Sequence, residues 1–240
     1  MYGRSFERGN EMKRAFCKAA GLVLLVGLAG CAATDAGNKQ NKWRDTFTPD
    51  KANLSDTGRN MHFILEAGYT LNFSHGKNTL VITVLDETKI VDGVKTRVVE
   101  ERERQDGRLT EVSRNYFAID RSTGDVYYFG EDVDTYKQGK IAGHEGVWLS
   151  GVGGARFGLM MPGKPKAGDR FYQEIAPDAA MDRAEIVGVS DKVETTAGTF
   201  RDCVHFRESS AIEKGVDHKW FAPGVGLIKD GDLLLVKIGR

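Results

Sequence analysis

The sequence predicts an all-β fold: a single antiparallel meander that forms a curved sheet, a half-open barrel or a sandwich. Runs rich in β-branched residues recur along the chain, and in one of them Leu80, Ile82 and Val84 lie on one face. Asp-Gly pairs separate several runs and favour hairpins, because a type I′ turn needs positive φ at both central residues. The turns recur roughly every 12 to 16 residues without helical periodicity between them, which is typical of an up-and-down meander.

The predicted strands and turns alternate from residue 79 onward. Residues 100–104 place charge on both faces of a predicted strand, so we expect this end to project beyond the core as a hairpin tip or to lie at a sheet edge. Pro223 presets φ and Gly224 accepts positive φ, so this pair predicts a type II turn. The predicted strands are 79–85, 94–104, 109–120, 126–129, 140–149, 226–229 and 233–238, with turns at 92–93, 106–107, 123–124, 138–139 and 230–231.

The composition excludes several classes of protein. The chain has 240 residues, of which 40% are hydrophobic and 28% charged, with 34 Lys and Arg against 34 Asp and Glu. This apolar content is too high for a disordered protein, and a balanced charge gives no reason to expect a basic patch or a nucleic-acid partner. No apolar run reaches the roughly 18 residues that a membrane-spanning helix needs.

The N-terminal region carries the pattern of a lipoprotein signal peptide. A basic segment (13–18) precedes a short apolar segment (19–29), and the run ends in Leu28-Ala29-Gly30-Cys31. This ending resembles the lipobox of bacterial lipoproteins, which implies acylation of the Cys31 thiol and cleavage before it. A plain secretory signal or a buried apolar helix is the alternative. Met12 begins a more usual signal peptide than Met1 and is therefore the alternative start of the chain.

These features divide the chain into three parts. Residues 1–30 are predicted as signal peptide, 31–60 as the lipidated Cys and a polar tether, and 61–240 as a single β-rich domain. The mature chain would have a net charge of −3, and Cys203 would be its one unlipidated cysteine, expected in the core. Ala32 follows Cys31 where some bacteria use Asp for inner-membrane retention. We therefore expect a lipid anchor in the outer membrane, with the domain in the periplasm.

A set of motifs in residues 115–230 resembles a bacterial family. The set comprises residues 128–132, 145–148, 168–174, 182–185, 197–203 and 220–227. Together they resemble a group of uncharacterised secreted or lipid-anchored β-domains. The resemblance implies an extracytoplasmic β-rich fold, and it brings no catalytic residues with it.

A Gly-rich stretch, residues 146–168, is the candidate for ligand binding. It contains seven Gly among large apolar residues. One interpretation is an irregular crossing with its apolar side chains in the core. The other is a mobile lid over an apolar cavity, with Gly as hinges and Met as an adaptable surface. The candidate ligand-binding residues are Trp148, Phe157, Met160, Met161, Phe171 and Trp220.

The sequence contains no established catalytic, cofactor or metal motif. A nucleophile elbow, a zinc signature and phosphate-binding loops are missing. Centring a hairpin near residue 212 makes His205 face away from His218, so a shared metal is not expected. A register shifted by one residue is the alternative, and it would place both histidines on one face. The acidic residues 131–134, beside Asp120 and Asp125, lack EF-hand spacing and are interpreted as a solvated turn rather than a Ca²⁺ site. We predict neither a cofactor nor a metal.

The sequence therefore favours a non-catalytic envelope lipoprotein that binds an apolar or amphipathic ligand, or a partner protein. Its predicted partners are the membrane, through acylated Cys31, and that ligand or envelope protein, with no nucleic acid. One alternative is a hydrolase of an envelope polymer that uses two carboxyls among Glu174, Asp182 and Glu185. Another is a purely structural component. Carboxyls about 5–10 Å apart in a cleft would favour the hydrolase.

Overall fold

A computed structural model describes residues 42–240, and nearly all of their regular structure is antiparallel β-sheet. This confirms the predicted fold class. A 3₁₀ turn covers Lys51–Asn53. The strands are β1 (Leu54–Ser55), β2 (Gly58–Asn60), β3 (Phe63–Leu65), β4 (Thr70–His75), β5 (Asn78–Val91), β6 (Val94–Gln105), β7 (Arg108–Asp120), β8 (Val126–Lys137), β9 (Lys140–Gly143), β10 (Trp148–Leu149), β11 (Arg156–Met161), β12 (Arg170–Tyr172), β13 (Glu174–Ile175), β14 (Asp182–Thr195), β15 (Gly198–Ser210), β16 (Asp217–Ala222), β17 (Gly226–Asp230) and β18 (Leu233–Gly239).

Thirteen strands form one sheet that is nearly closed and barrel-shaped. Its order is β12-β14-β15-β16-β17-β18-β4-β5-β6-β7-β8-β11-β13. The two ends of this order, β12 and β13, are consecutive in the chain and pair with β14 and β11 respectively. Residues 170–175 therefore span the seam of the barrel. Three short strands, β1, β9 and β10, pair with β7 or β8 outside this path, and β2 pairs only with β3.

The hairpin turns are as predicted at most positions. Asp92 and Gly93 have φ of 49° and 73°, and Asp106 and Gly107 have φ of 50° and 78°, as a type I′ turn requires. The pair at 230–231 differs, because Asp230 is the last residue of β17 and only Gly231 has positive φ. Gly224 has φ of 74°, and the Val225 N–H donates to the Ala222 carbonyl, which agrees with the predicted turn.

The C-terminal part of the predicted tether, residues 42–60, packs on the barrel instead of extending away from it. Within 42–60, Arg44 pairs with Phe171, the Phe47 side chain is buried, and β1 pairs with β7. Burial of the aromatic Phe47 side chain favours this docking, and β1 supplies backbone hydrogen-bond partners to the end of β7. The rest of the predicted tether, Cys31 and the signal peptide lie outside the described residues.

The charged end of β6 does not project from the fold, and that prediction was wrong. The Glu101 side chain is 8% exposed and the Glu103 side chain is half-buried, whereas Arg102 and Arg104 are exposed. The alternation of a strand therefore persists through this segment, with acidic side chains facing the barrel interior. The carboxyls of Glu101 and Glu103 belong to a layer of acidic side chains inside the barrel, and this layer is the physical reason.

Candidate functional site

A cavity of about 60 Å³ lies inside the barrel. Most of its wall is apolar and comes from neighbouring strands, including Leu71, Ile82, Val84, Val99, Phe117 and Phe221. Three charged side chains, Glu101, Lys219 and Asp230, complete the lining. The cavity is therefore amphipathic, with apolar walls and one charged side.

The hairpin of β2 and β3 contributes to the cavity wall as well. Phe63 and Ile64 of this hairpin line the cavity, and the Phe63 ring packs edge-on against Phe117 with centroids 5.1 Å apart. The Gly224 N–H donates to the Met61 carbonyl at 2.7 Å, and the Asn60 amide donates to the Gly124 carbonyl at 2.7 Å. The hairpin thus lies across this part of the barrel and is held by a few hydrogen bonds rather than by a strand ladder.

An acidic layer adjoins the charged side of the cavity. Of the cationic side chains in residues 42–240, only Arg97 and Lys219 are buried. Arg97 pairs with Asp56 and Asp86. Within the described residues, Lys219 is therefore the one buried cation that lies beside the interior carboxyls. The carboxyls that interact electrostatically with one another or with Lys219 are those of Glu101, Glu103, Glu111, Glu131, Glu174, Asp182, Glu208 and Asp230.

Lys219 is held in the layer by direct ion pairs. Its Nζ lies 2.9 Å from Glu208 Oε2 and 3.9 Å from Asp230 Oδ2. Burial alone would lower the pKa of Lys219, but the carboxylates of Asp230 and Glu208 outweigh burial and raise it. Lys219 therefore stays charged at neutral pH.

The carboxyls of the layer have raised pKa values, chiefly because burial disfavours their charged form. Burial raises the pKa of Glu101 to about 7, and Lys219 partly offsets the effect. The pKa of Asp230 is raised to about 6 by burial, again against Lys219. For Glu131, burial and then the charges of Glu111 and Glu101 raise the pKa well above its usual range. Part of the layer is therefore protonated at neutral pH.

Some buried polar atoms of the layer have no hydrogen-bond partner among the described residues. They include Oε2 of Glu131, Oε2 of Glu174 and Oε1 of Gln173. The Gln173 amide nitrogen is satisfied, because it donates to Glu208 at 2.8 Å. Each unpartnered buried oxygen costs about 1–3 kcal/mol, so the layer is a source of instability that packing elsewhere must offset.

The six predicted ligand-binding residues lie in different parts of the fold. Met160 lines the interior cavity. Trp148 packs on Tyr128, Phe171 packs on Phe206, and Met161 is fully buried. Phe157 is half-buried between Tyr127 and Phe129, and Trp220 stacks on His205 on the outer face. The apolar side chains of the Gly-rich stretch thus belong largely to the core.

Two of the three predicted carboxyls lie close together, and the third lies apart from them. Glu174 Oε1 accepts a hydrogen bond from the Asp182 N–H at 2.7 Å. Burial and then the Asp182 charge raise the pKa of Glu174, and burial and then Glu208 raise that of Asp182 to about 6. Glu185 lies apart and pairs with Arg170 and Arg207. None of these three carboxyls lines the interior cavity.

The predicted register of the histidines was wrong by one residue. His205 pairs with Trp220 and Arg207 with His218, so both histidines lie on one face, with Nε2 of His205 2.7 Å from Nδ1 of His218. The loop between β15 and β16 is too long to fix the register as a two-residue turn would. Within residues 42–240, no three His, Cys, Asp or Glu side chains are grouped as a metal ion would need.

The predicted acidic turn at 131–134 is also divided between two faces. Glu131 is buried in the interior, Asp132 pairs with Lys89 and Tyr116, and Asp134 pairs with Arg114. Cys203 is buried as expected, and burial, followed by the charges of Asp191 and Asp202, raises the pKa of its thiol to about 11. This thiol is therefore protonated and shielded in the native fold.

Comparisons with known proteins add little to this geometry. No protein-family model matches the chain, and no curated protein does. Among solved structures, the chain is similar to a "putative lipoprotein" from Parabacteroides distasonis, with a TM-score of 0.34 and 12% identity. The match covers 72% of this chain and 95% of that one. A likeness this distant supports no statement about fold or function. Within residues 42–240, no helix is long and apolar enough to cross a membrane.

Proposed function

We propose that this chain is a lipid-anchored protein of the bacterial envelope whose barrel binds a small amphipathic molecule. The interior cavity is the observation that supports the binding role, because its apolar walls meet Glu101, Lys219 and Asp230 on one side. The lipobox ending at Cys31 supports the anchor. An apolar wall with a few converging polar groups is the usual composition of a small-molecule site.

The size of the cavity limits the ligand. One water needs about 10–15 Å³ of such volume, so about 60 Å³ holds only a few water-sized groups. A short aliphatic chain or a small ring fits, and a longer ligand would have to displace the β2–β3 hairpin. The carboxyls outnumber Lys219 on the charged side, so a hydrogen-bond donor or a cationic group on the ligand is favoured over a carboxylate.

The hydrolase alternative has less support. Glu174 and Asp182 are close together and have raised pKa values, as an acid–base pair requires. However, neither lines the interior cavity, and the Glu174 carboxyl is almost completely buried. The pair therefore lacks a described route for a polymer substrate.

The ligand class is tested with short n-alkylamines, the matching alcohols and the matching carboxylates, by isothermal titration calorimetry. We expect amines and alcohols to bind more tightly than carboxylates. Val99→Phe fills the cavity from its wall and should weaken binding at least about tenfold. Ile82→Ala enlarges the cavity, and it should shift the preference to longer chains.

Val216→Phe is the matched control for the filled cavity, because the Val216 side chain is exposed. It should bind like the wild type. Thermal melts of all variants separate loss of the site from loss of the fold. Tighter binding of carboxylates, or unchanged binding by a folded Val99→Phe protein, would contradict the proposal.

The anchor is tested by Cys31→Ser, which removes the thiol that the lipobox pattern marks for acylation. We expect the variant to leave the membrane fraction and to incorporate no labelled palmitate in cells. The matched control is Cys203→Ser, since Cys203 lies in the barrel and should not affect labelling. Label in the Cys31→Ser protein would show that another residue is acylated.

A further inference from the structure

We infer that a basic cleft outside the barrel is a binding site for the phosphate headgroups of the membrane to which the chain is anchored. The cleft has a volume of about 690 Å³ and lies at the barrel seam, beside β12. Its cationic lining residues are Lys42, Arg44, Lys164, Lys166 and Arg170, and its acidic ones are Asp125 and Asp169. The inference rests on the proposed lipid anchor for its orientation.

The charge of the cleft is opposite to that of the mature chain. The lining holds five cationic residues against two acidic ones, and Arg170 is also paired with Glu185, so an excess of two positive charges remains. The predicted mature chain, in contrast, has a net charge of −3. A basic patch is not evident from the sequence, because Lys42 and Arg44 are more than 100 residues from Lys164 and Lys166. The fold brings these two groups together.

Both acidic residues of the cleft are already engaged in holding the backbone. Asp125 accepts from the Gly163 N–H at 2.7 Å and from the Tyr127 hydroxyl at 3.2 Å. Asp169 accepts from the Lys166 N–H at 3.1 Å. Within the described part of the chain, no carboxylate pairs with the exposed side chains of Lys42, Lys164 or Lys166. These ammonium groups are available to an anion.

The segment that leads to the anchor is fixed beside this cleft. The Arg44 N–H donates to the Arg170 carbonyl, and the Tyr172 N–H donates to the Arg44 carbonyl, both at 2.9 Å. The Trp43 ring packs edge-on against Tyr172 and under the Arg183 guanidinium. Lys42, the first residue that the structure describes, itself lines the cleft.

The length of chain before Lys42 sets the distance to the bilayer. Ten residues, 32–41, separate Lys42 from Cys31. Ten residues span at most about 35 Å in any conformation, because the covalent geometry of the backbone limits their reach. An acylated Cys31 thus keeps the cleft near the headgroups. Each Lys or Arg that is held close to an anionic surface adds to the electrostatic attraction.

The test uses the mature chain from residue 31 with Cys31→Ser, so that acylation cannot hold the protein on the membrane. All strands lie within residues 54–239, so this chain keeps the whole fold. Sedimentation with vesicles of phosphatidylcholine alone is compared with vesicles that contain about 30% phosphatidylglycerol. We expect binding to the anionic vesicles only, and loss of that binding in about 1 M salt, where the Debye length is about 3 Å.

The matched variants are two double charge reversals. Lys164→Glu with Lys166→Glu changes the cleft and should weaken vesicle binding at least about tenfold. Lys137→Glu with Lys140→Glu makes the same charge change in the β8–β9 turn, at the other end of β8 from Asp125, and should have little effect. Equal binding to both kinds of vesicle, or an equal loss in both double variants, would overturn the inference. So would binding of inorganic phosphate by a protein that ignores the vesicles.

A failure of this inference can be distinguished from a failure of the proposed function. If Cys31→Ser abolishes palmitate labelling but the cleft variants bind vesicles like the wild type, the lipid anchor is supported and the inference about the cleft is wrong. If vesicle binding depends on Lys164 and Lys166 while the alkylamine titrations fail, the cleft stands and the interior ligand site fails.

Discussion

Lys219→Met is expected to lower the free energy of unfolding by about 3–5 kcal/mol at pH 8, because it leaves buried carboxylates without their cation. Met preserves most of the side-chain volume, so the loss reports charge rather than packing. The Lys219 ammonium lies 2.9 Å from Glu208 and 3.9 Å from Asp230, and both lose its charge in the variant. Urea denaturation of the two proteins measures the difference.

The loss should be smaller at about pH 5, because burial raises the pKa of Asp230 to about 6 and this carboxyl can then take up a proton instead. Lys237→Met is the control, since Lys237 is exposed on β18, and a surface substitution of this kind stays within about 0.5 kcal/mol. A folded Lys219→Met protein with wild-type stability at pH 8 would mean that Lys219 is not the cation that holds the acidic layer.

The wild-type domain is expected to be more stable near pH 5 than near pH 8. Burial raises the pKa values of Glu101 to about 7 and of Asp230 to about 6 in the folded state, whereas unfolded carboxyls titrate near 4. Between these values the folded state binds more protons than the unfolded state, so stability falls as pH rises. For Glu101 alone the change is on the order of 3 kcal/mol.

Other carboxyls act in the opposite direction below about pH 4. The pKa of Glu185 is lowered, because its bonds to Arg170 and Arg207 outweigh burial, and the stability it contributes is lost as pH falls through its folded pKa. The stability maximum is therefore expected near pH 5. Glu131→Gln should raise stability at pH 8 by about 1–3 kcal/mol and have little effect at pH 5.

Glu194→Gln is the control for this comparison, since Glu194 is exposed and pairs only with Lys192 in the described residues. Urea denaturation at several pH values between about 5 and 8 gives the profile. A wild-type stability that rises over this interval, or a Glu131→Gln protein that is destabilised at pH 8, would show that the interior carboxyls remain ionised.

The local pattern predicted much of the fold. Asp92-Gly93 and Asp106-Gly107 form the expected turns, because only a few residues tolerate positive φ and the sequence places them between β-branched runs. The local pattern does not decide whether the sheet forms a curved sheet, a half-open barrel or a sandwich. Closure depends on residues 170–175, whose two strands pair with β14 and β11, and such non-local pairing leaves no local sequence signal.

The candidate site was harder to predict than the fold. Charged residues in β6 indicated an exposed strand end, but Glu101 and Glu103 face Lys219, which is more than 110 residues away in sequence. Alternation gives the two faces of a strand, and it does not tell which face is enclosed when both are charged. Predicting the contact between His205 and His218 requires the register of the β15–β16 hairpin. The long loop of this hairpin does not define that register.

The pairing of β4 with β18 has a consequence for how the chain folds. Leu234 lies opposite Ser74, 160 residues earlier in the sequence, and this ladder joins the first and last strands of the meander. The ladder cannot form until nearly the whole chain has been synthesised. Contacts this distant in sequence also slow folding, because chain closure loses entropy before any contact compensates for it. Until β18 arrives, the edges of β4 and β17 remain open to other strands, so the nascent protein passes through a stage at which it is prone to aggregate.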